Sequence, residues 1–279
     1  MARIALLLSL IFPILALAKT TDSIPSTLKA DYVQLVEDAD KAIADMKWTD
    51  AIDLLDRAMR LDPANPSNVL LLSNKGMLQY YNGADSASLE TLTIAHNIAP
   101  ASVTVLQNRA KVFTSAGRLG EALADYSTII SLDSTLVEPW FYRAMINFRA
   151  GKQAEALADI NEMKRRFPES SSTTLAEATY LTFTGQFNEA IPLLSKIIEE
   201  KPTAADYSSR ALCYLMTGQL PEASDDIAHG LELDPTDGEL YLYRALLNKM
   251  RYRPDDAKAD AEKARLYGVS SERVKALML

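Results

Sequence analysis

From residue 32 onward, apolar residues recur three and four apart in segments of about a dozen residues, each closed by a turn-forming residue. The stretch GRLGEALADYSTIISLD, from Gly117 to Asp133, shows the form. Its spacing predicts a helix with one apolar stripe and one wet face. Neither type of segment is apolar all round, so each helix must bury its stripe on a partner and on the next pair.

The punctuation between segments is periodic. Gly83, Gly117, Gly151, Gly185 and Gly218 follow one another at steps of 34, 34, 34 and 33 residues. Ala122, Ala156, Ala190 and Ala223 keep the same register five residues later. Pro100, Pro168, Pro202 and Pro235 close the units, with Ser134 in the intermediate slot. A glycine suits a helix end that needs a left-handed backbone, and a proline cannot continue the helix before it. Each unit therefore reads as helix, tight turn, helix, turn.

This register resembles the tetratricopeptide repeat. The fourth unit carries the resemblance through Trp140, Arg143, Ala144, Asn147, Gly151, Gln153, Ala156, Ile160, Met163 and Pro168. The sixth carries it through Tyr207, Arg210, Ala211, Tyr214, Gly218, Leu220, Ala223, Ile227, Gly230 and Pro235. The resemblance implies an all-α, right-handed superhelical solenoid of about seven helix-turn-helix repeats, near 32–65, 69–102, 103–136, 137–170, 171–203, 204–237 and 238–271. The first repeat is recognisable through Trp48, Ala51, Leu55, Ala58 and Pro63, and the step from Pro63 to Pro100 is 37 residues, which predicts a longer loop at Ala64 to Asn68. The seventh departs from the pattern, with Tyr252 in place of the glycine and Pro254 in place of the aromatic. Residues 271–279 read as a capping helix.

A charge pair recurs within the repeats. Arg109, Arg143, Arg210 and Arg244 share the seventh repeat position, and the same four repeats place Asp125, Asp159, Asp226 and Asp260 at the twenty-third. Repeats without the arginine have Asp38, Lys75 or Glu177 there, and Leu54, Thr91 or Leu193 in place of the aspartate. Co-occurrence inside one chain predicts a bidentate Arg–carboxylate pair across the two helices. The alternative is independent solvated charges.

Residues 1–18, MARIALLLSLIFPILALA, read as a signal peptide. Arg3 precedes a short apolar run that ends in Ala16-Leu17-Ala18, a small-x-small cleavage pattern. The run is short for a membrane anchor and holds Pro13. Cleavage after Ala18 leaves residues 19–31 as a flexible leader and no membrane span. The expectation is an exported protein, periplasmic or secreted, with a bacterial envelope favoured over a eukaryotic secretory lumen. Cys213 is the single cysteine, so an internal disulfide is impossible and a buried thiol is expected.

The formal net charge of −8 argues against nucleic acid as a partner. His96 and His229 lie far apart and near no cysteine, so no metal-ligand spacing is present and no metal or cofactor is expected. Phosphate-binding glycine loops and nucleophile motifs are absent. The sequence predicts a non-enzymatic scaffold that binds a protein or peptide, or else a non-catalytic regulatory or assembly subunit of an envelope or secretion complex.

The resemblance also implies where binding occurs. In such repeats the first helices line a concave face, which here would present Tyr80, Tyr81, Lys111, Phe141, Met145, Phe148, Arg149 and Phe183. Aromatics, methionine and arginine are enriched where proteins bind one another. Some of these residues could instead pack against the next repeat. The basic clamp by which some such proteins hold acidic C-termini is met only by Asn108 and Lys111, so that ligand is not implied.

Overall fold

The computed structural model describes residues 26–278, which form fifteen α-helices with no strand among the described residues. The signal peptide and residues 19–25 of the leader lie outside the described residues. Of the residues expected in the leader, 26–31 belong to α1 (Ser26–Ala44). None of these residues breaks a helix, and the turns that follow bury Tyr32 and Val36.

The chain divides into two compact units at Lys152 and Gln153. The first holds three antiparallel hairpins and one further helix. These are α1 with α2 (Trp48–Leu61), α3 (Asn68–Tyr81) with α4 (Asp85–Ile98), α5 (Val103–Ser115) with α6 (Leu119–Leu132), and α7 (Val137–Arg149) packed on α6. The second opens with α8 (Gln153–Arg166) on α9 (Ser171–Phe183). Here α9 pairs with α10 (Phe187–Glu200), α11 (Ala204–Met216) with α12 (Leu220–Leu233), and α13 (Gly238–Met250) with α14 (Pro254–Leu266). The short α15 (Ser271–Met278) lies against α13 and α14.

Small residues set how closely the helices pack. The eighth repeat position is Ala39, Gly76, Ala110, Ala144, Ala178, Ala211 and Ala245, and all are buried. The twentieth is alanine in six repeats and Ser88 in the second, again all buried. Larger residues fill the space between: Leu55 and Leu71 in one cluster, Leu106, Tyr126 and Ile129 in another, and Leu215, Ile227 and Leu240 in a third. Each cluster takes residues from one hairpin and from the next first helix, so a hairpin is completed only by its neighbour. At Gly230 on α12 an added Cβ would lie 2.6 Å from Leu240 Cδ1 of α13, so the absent side chain sets the spacing of those two helices.

The first turn of each repeat needs a left-handed residue. The five periodic glycines hold φ between 73° and 81°. In the first and seventh repeats Met46 and Tyr252 take the same place, each at φ 57°. The departure seen at Tyr252 is therefore a change of residue in an unchanged turn.

Candidate protein-interaction face

The seventh repeat position organises the junctions. Arg109 donates Nε and Nη2 to the two carboxylate oxygens of Asp125, at 2.8 and 2.6 Å. Arg210 does the same to Asp226 at 2.8 and 2.7 Å, and Arg244 to Asp260 at 2.9 and 2.6 Å. The aspartates are buried, while the arginine stems cross half-covered ground. Arg143 and Asp159 fall in different units: Asp159 is buried on α8, and Arg143 donates Nη1 to Ser127 Oγ of α6 at 3.1 Å. Arg210 makes the matching bond to Ser195 of α10 at 2.8 Å. These serines hold one repeat position, so the arginine ties a first helix to the helix before it.

In the second and fifth repeats, where the arginine is missing, the position pairs backwards. Lys75 Nζ lies 2.7 and 2.9 Å from the carboxylate oxygens of Asp56 on α2. Glu177 of α9 takes Lys164 of α8. Asp38, in the first repeat, pairs with Lys41 on its own helix at 2.9 Å. Sequence reasoning missed the backward partners because each occurs once and no period marks it.

The residues expected on the concave face separate into three groups. Tyr80 belongs to the core. It is buried with Met77, Leu92 and Val112, and its hydroxyl donates to Ser115 Oγ at 2.9 Å. This corrects the expectation for that residue: it packs α3 onto α4 and α5. Phe183 is 60% exposed at the end of α9 and lies in the second unit. The remaining six are all in the first unit.

Within that unit, Tyr81 sits between Trp48, with ring centroids 6.0 Å apart, and Lys111 of α5. Lys111 donates to Tyr81 Oη at 3.2 Å, and its Nζ is 5.6 Å from the ring centroid. Both are half-buried. Burial pushes the Lys111 ammonium below its ordinary value and the Tyr81 hydroxyl above its own. Lys111 has no carboxylate partner among the described residues. On α7, Phe141, Met145 and Phe148 are half-buried and Arg149 is exposed. Phe141 meets Tyr142 edge-on at 5.5 Å. Asn108 is spent inside the stack, where it donates to Ser73 Oγ at 3.0 Å.

Other candidate chemistry is structural. Cys213 is buried beside Thr182, and burial raises its thiol pKa. His229 stacks on Tyr207 at 5.5 Å, and burial holds His96 below its ordinary value. Among the described residues no group of three metal-ligating side chains converges, and no helix is long and apolar enough to cross a membrane.

No protein-family model matches the chain. A tetratricopeptide repeat protein from Parabacteroides merdae ATCC 43184 superimposes with a TM-score of 0.73 at 27% identity, covering 89% of this chain and 98% of that one. Human tetratricopeptide repeat protein 13 is 28% identical over 142 residues, 49% of this chain and only 16% of that protein's length. The rat mitochondrial import receptor subunit TOM34 is 23% identical over 236 residues, 67% of this chain and 76% of that protein. In fold and in repeat register, this chain is similar to tetratricopeptide repeat proteins.

Proposed function

We propose that the protein is a non-catalytic scaffold, exported from the cytoplasm, that captures a segment of another protein on the first-helix face of its first unit. The observation that carries this reading is the set Tyr81, Lys111, Phe141, Met145, Phe148 and Arg149. It combines half-covered apolar side chains with two cations. One of these, Lys111, is partly desolvated and lacks a carboxylate. Such a surface suits a ligand with apolar side chains and a carboxylate, laid across successive first helices. A folded partner, held as in a regulatory or assembly subunit, would use the same face.

Export rests on Arg3, the short apolar run and Ala16-Leu17-Ala18. N-terminal sequencing of the protein from its own cells tests it, with Lys19 the expected first residue. Recovery of Met1 or Ala2 overturns export and leaves the binding reading standing. Affinity capture of the mature chain identifies the partner. Free peptides should compete if the ligand is a linear segment and fail to compete if it is a folded domain.

A further inference from the structure

The ninth repeat position directly follows the small residue that sets how closely the helices pack. Most repeats hold an uncharged residue there, such as Met77, Met145 or Leu212. Only Asp40 and Lys111 are charged, with opposite sign, and both lie in the first unit, on α1 and α5. Lys111 and Met145 already belong to the first-helix face, so Asp40 holds on α1 the place that they hold on α5 and α7.

Both charges are half-buried, and neither is neutralised among the described residues. Lys111 meets only the ring and hydroxyl of Tyr81. Asp40 makes no hydrogen bond or ion pair there. One turn before it stands a second carboxylate, Glu37, and the adjacent Lys41 is taken by Asp38. Burial, then Glu37, raises the Asp40 carboxyl, and burial lowers the Lys111 ammonium, so each moves towards its neutral form. A charge that loses water without gaining a partner is unfavourable, and a ligand of opposite charge relieves it.

The spacing of the helices sets the spacing of such a ligand. At about 8–10 Å per step between packed helices, α1 lies roughly 20 Å from α5, with α3 between them, and α7 is one step further. An extended chain covers about 20 Å in six residues at ~3.3 Å each. Six is an even number, so both side chains point to the same side of the strand.

We propose that the segment captured by the first-helix face is charge-ordered. It carries a lysine or arginine over Glu37 and Asp40, an aspartate or glutamate about six residues away at Lys111, and apolar residues beyond it against Phe141 and Met145. This order rests on the first-helix face being the binding surface, and adds what the ligand must present to it.

The test titrates a 13-residue peptide into the isotopically labelled full chain by NMR. The peptide carries lysine at position 2, glutamate at position 8, phenylalanine at positions 10 and 12 and serine elsewhere, and is made in both chain directions. A control exchanges the lysine and the glutamate. In one direction the ordered peptide should shift amides of α1, α5 and α7 and bind at least about fivefold more tightly than its control. Glu37→Gln with Asp40→Asn should weaken the ordered peptide about fivefold, yet leave unchanged a version with glutamine for the lysine. Lys111→Gln should weaken it similarly, and leave unchanged a version with glutamine for the glutamate. Equal binding of the exchanged peptide, shifts confined to the second unit, or no shift at millimolar peptide would each overturn the charge order. Self-association that the ordered peptide reverses would overturn it too, by giving the face to a second copy of the chain. A captured partner separates this failure from that of the face itself. If Phe148→Ala with Arg149→Ala weakens the partner but the charge variants do not, the order fails and the face stands. If none of these variants weakens it, the face fails as well.

Discussion

Lys75 reaches back to Asp56 of the preceding repeat, whereas one period later Arg109 reaches forward to Asp125 of its own. The two side chains hold the same repeat position and have opposite partners. The difference follows from what the second helix offers. Thr91 stands where Asp125 stands one repeat on, so Lys75 has no carboxylate ahead of it, and Asp56 lies behind. Position seven is thus a junction whose partner is chosen by the neighbouring helices.

The forward pair should be the stronger. The Arg109 and Asp125 side chains are 12% and 6% exposed, against 20% and 28% for Lys75 and Asp56. Asp125→Ala leaves a covered guanidinium without its partner and should cost about 3 kcal/mol, and Asp56→Ala about 1 kcal/mol or less. A double-mutant cycle on Arg109 and Asp125 should show coupling of about 1–3 kcal/mol in chemical denaturation. Additive single mutants would mean that the pair contributes nothing beyond its parts.

Glycine placement makes a second pair of expectations. Met46→Gly should stabilise by about 1 kcal/mol, because Met46 bears a left-handed backbone that the periodic glycines hold without a Cβ. Gly230→Ala should destabilise by about 1–3 kcal/mol, because the new methyl meets Leu240 at 2.6 Å. Thermal melts of the two variants should move in opposite directions.

Asp40 on α1 supplies a pH dependence. Its carboxyl is held above the usual range, first by burial and then by Glu37. A raised carboxyl binds its proton more tightly in the folded chain than in the unfolded one. Its contribution to stability is therefore fully present below the unfolded value and is lost as pH rises through the folded one. Asp40→Asn should flatten that part of the stability–pH profile and raise stability at neutral pH. An unchanged profile would show that Asp40 is well solvated.

The period, the helix pairs and the forward Arg–Asp partners were legible in the sequence because each recurs in one register. The character of the face was less legible. Tyr80 and Tyr81 are neighbours in sequence, yet one lies in the core with Leu92 and Val112 and the other packs between Trp48 and Lys111. Adjacent helical residues point about 100° apart, so both reach α5 but from different sides, Tyr80 towards Val112 and Ser115 and Tyr81 towards Lys111. Ser127 and Ser195 escaped notice because a serine in a helix carries no signal until an arginine is seen to reach it.

Recognition by the first-helix face is tested most directly by measuring a captured partner's affinity for the wild-type chain and for Phe148→Ala with Arg149→Ala. Circular dichroism should first show unchanged helix content and melting temperature. The double variant is expected to lose about 2 kcal/mol of binding, roughly a thirtyfold weaker Kd. Wild-type affinity in the folded double variant, for every captured partner, would contradict binding through this face.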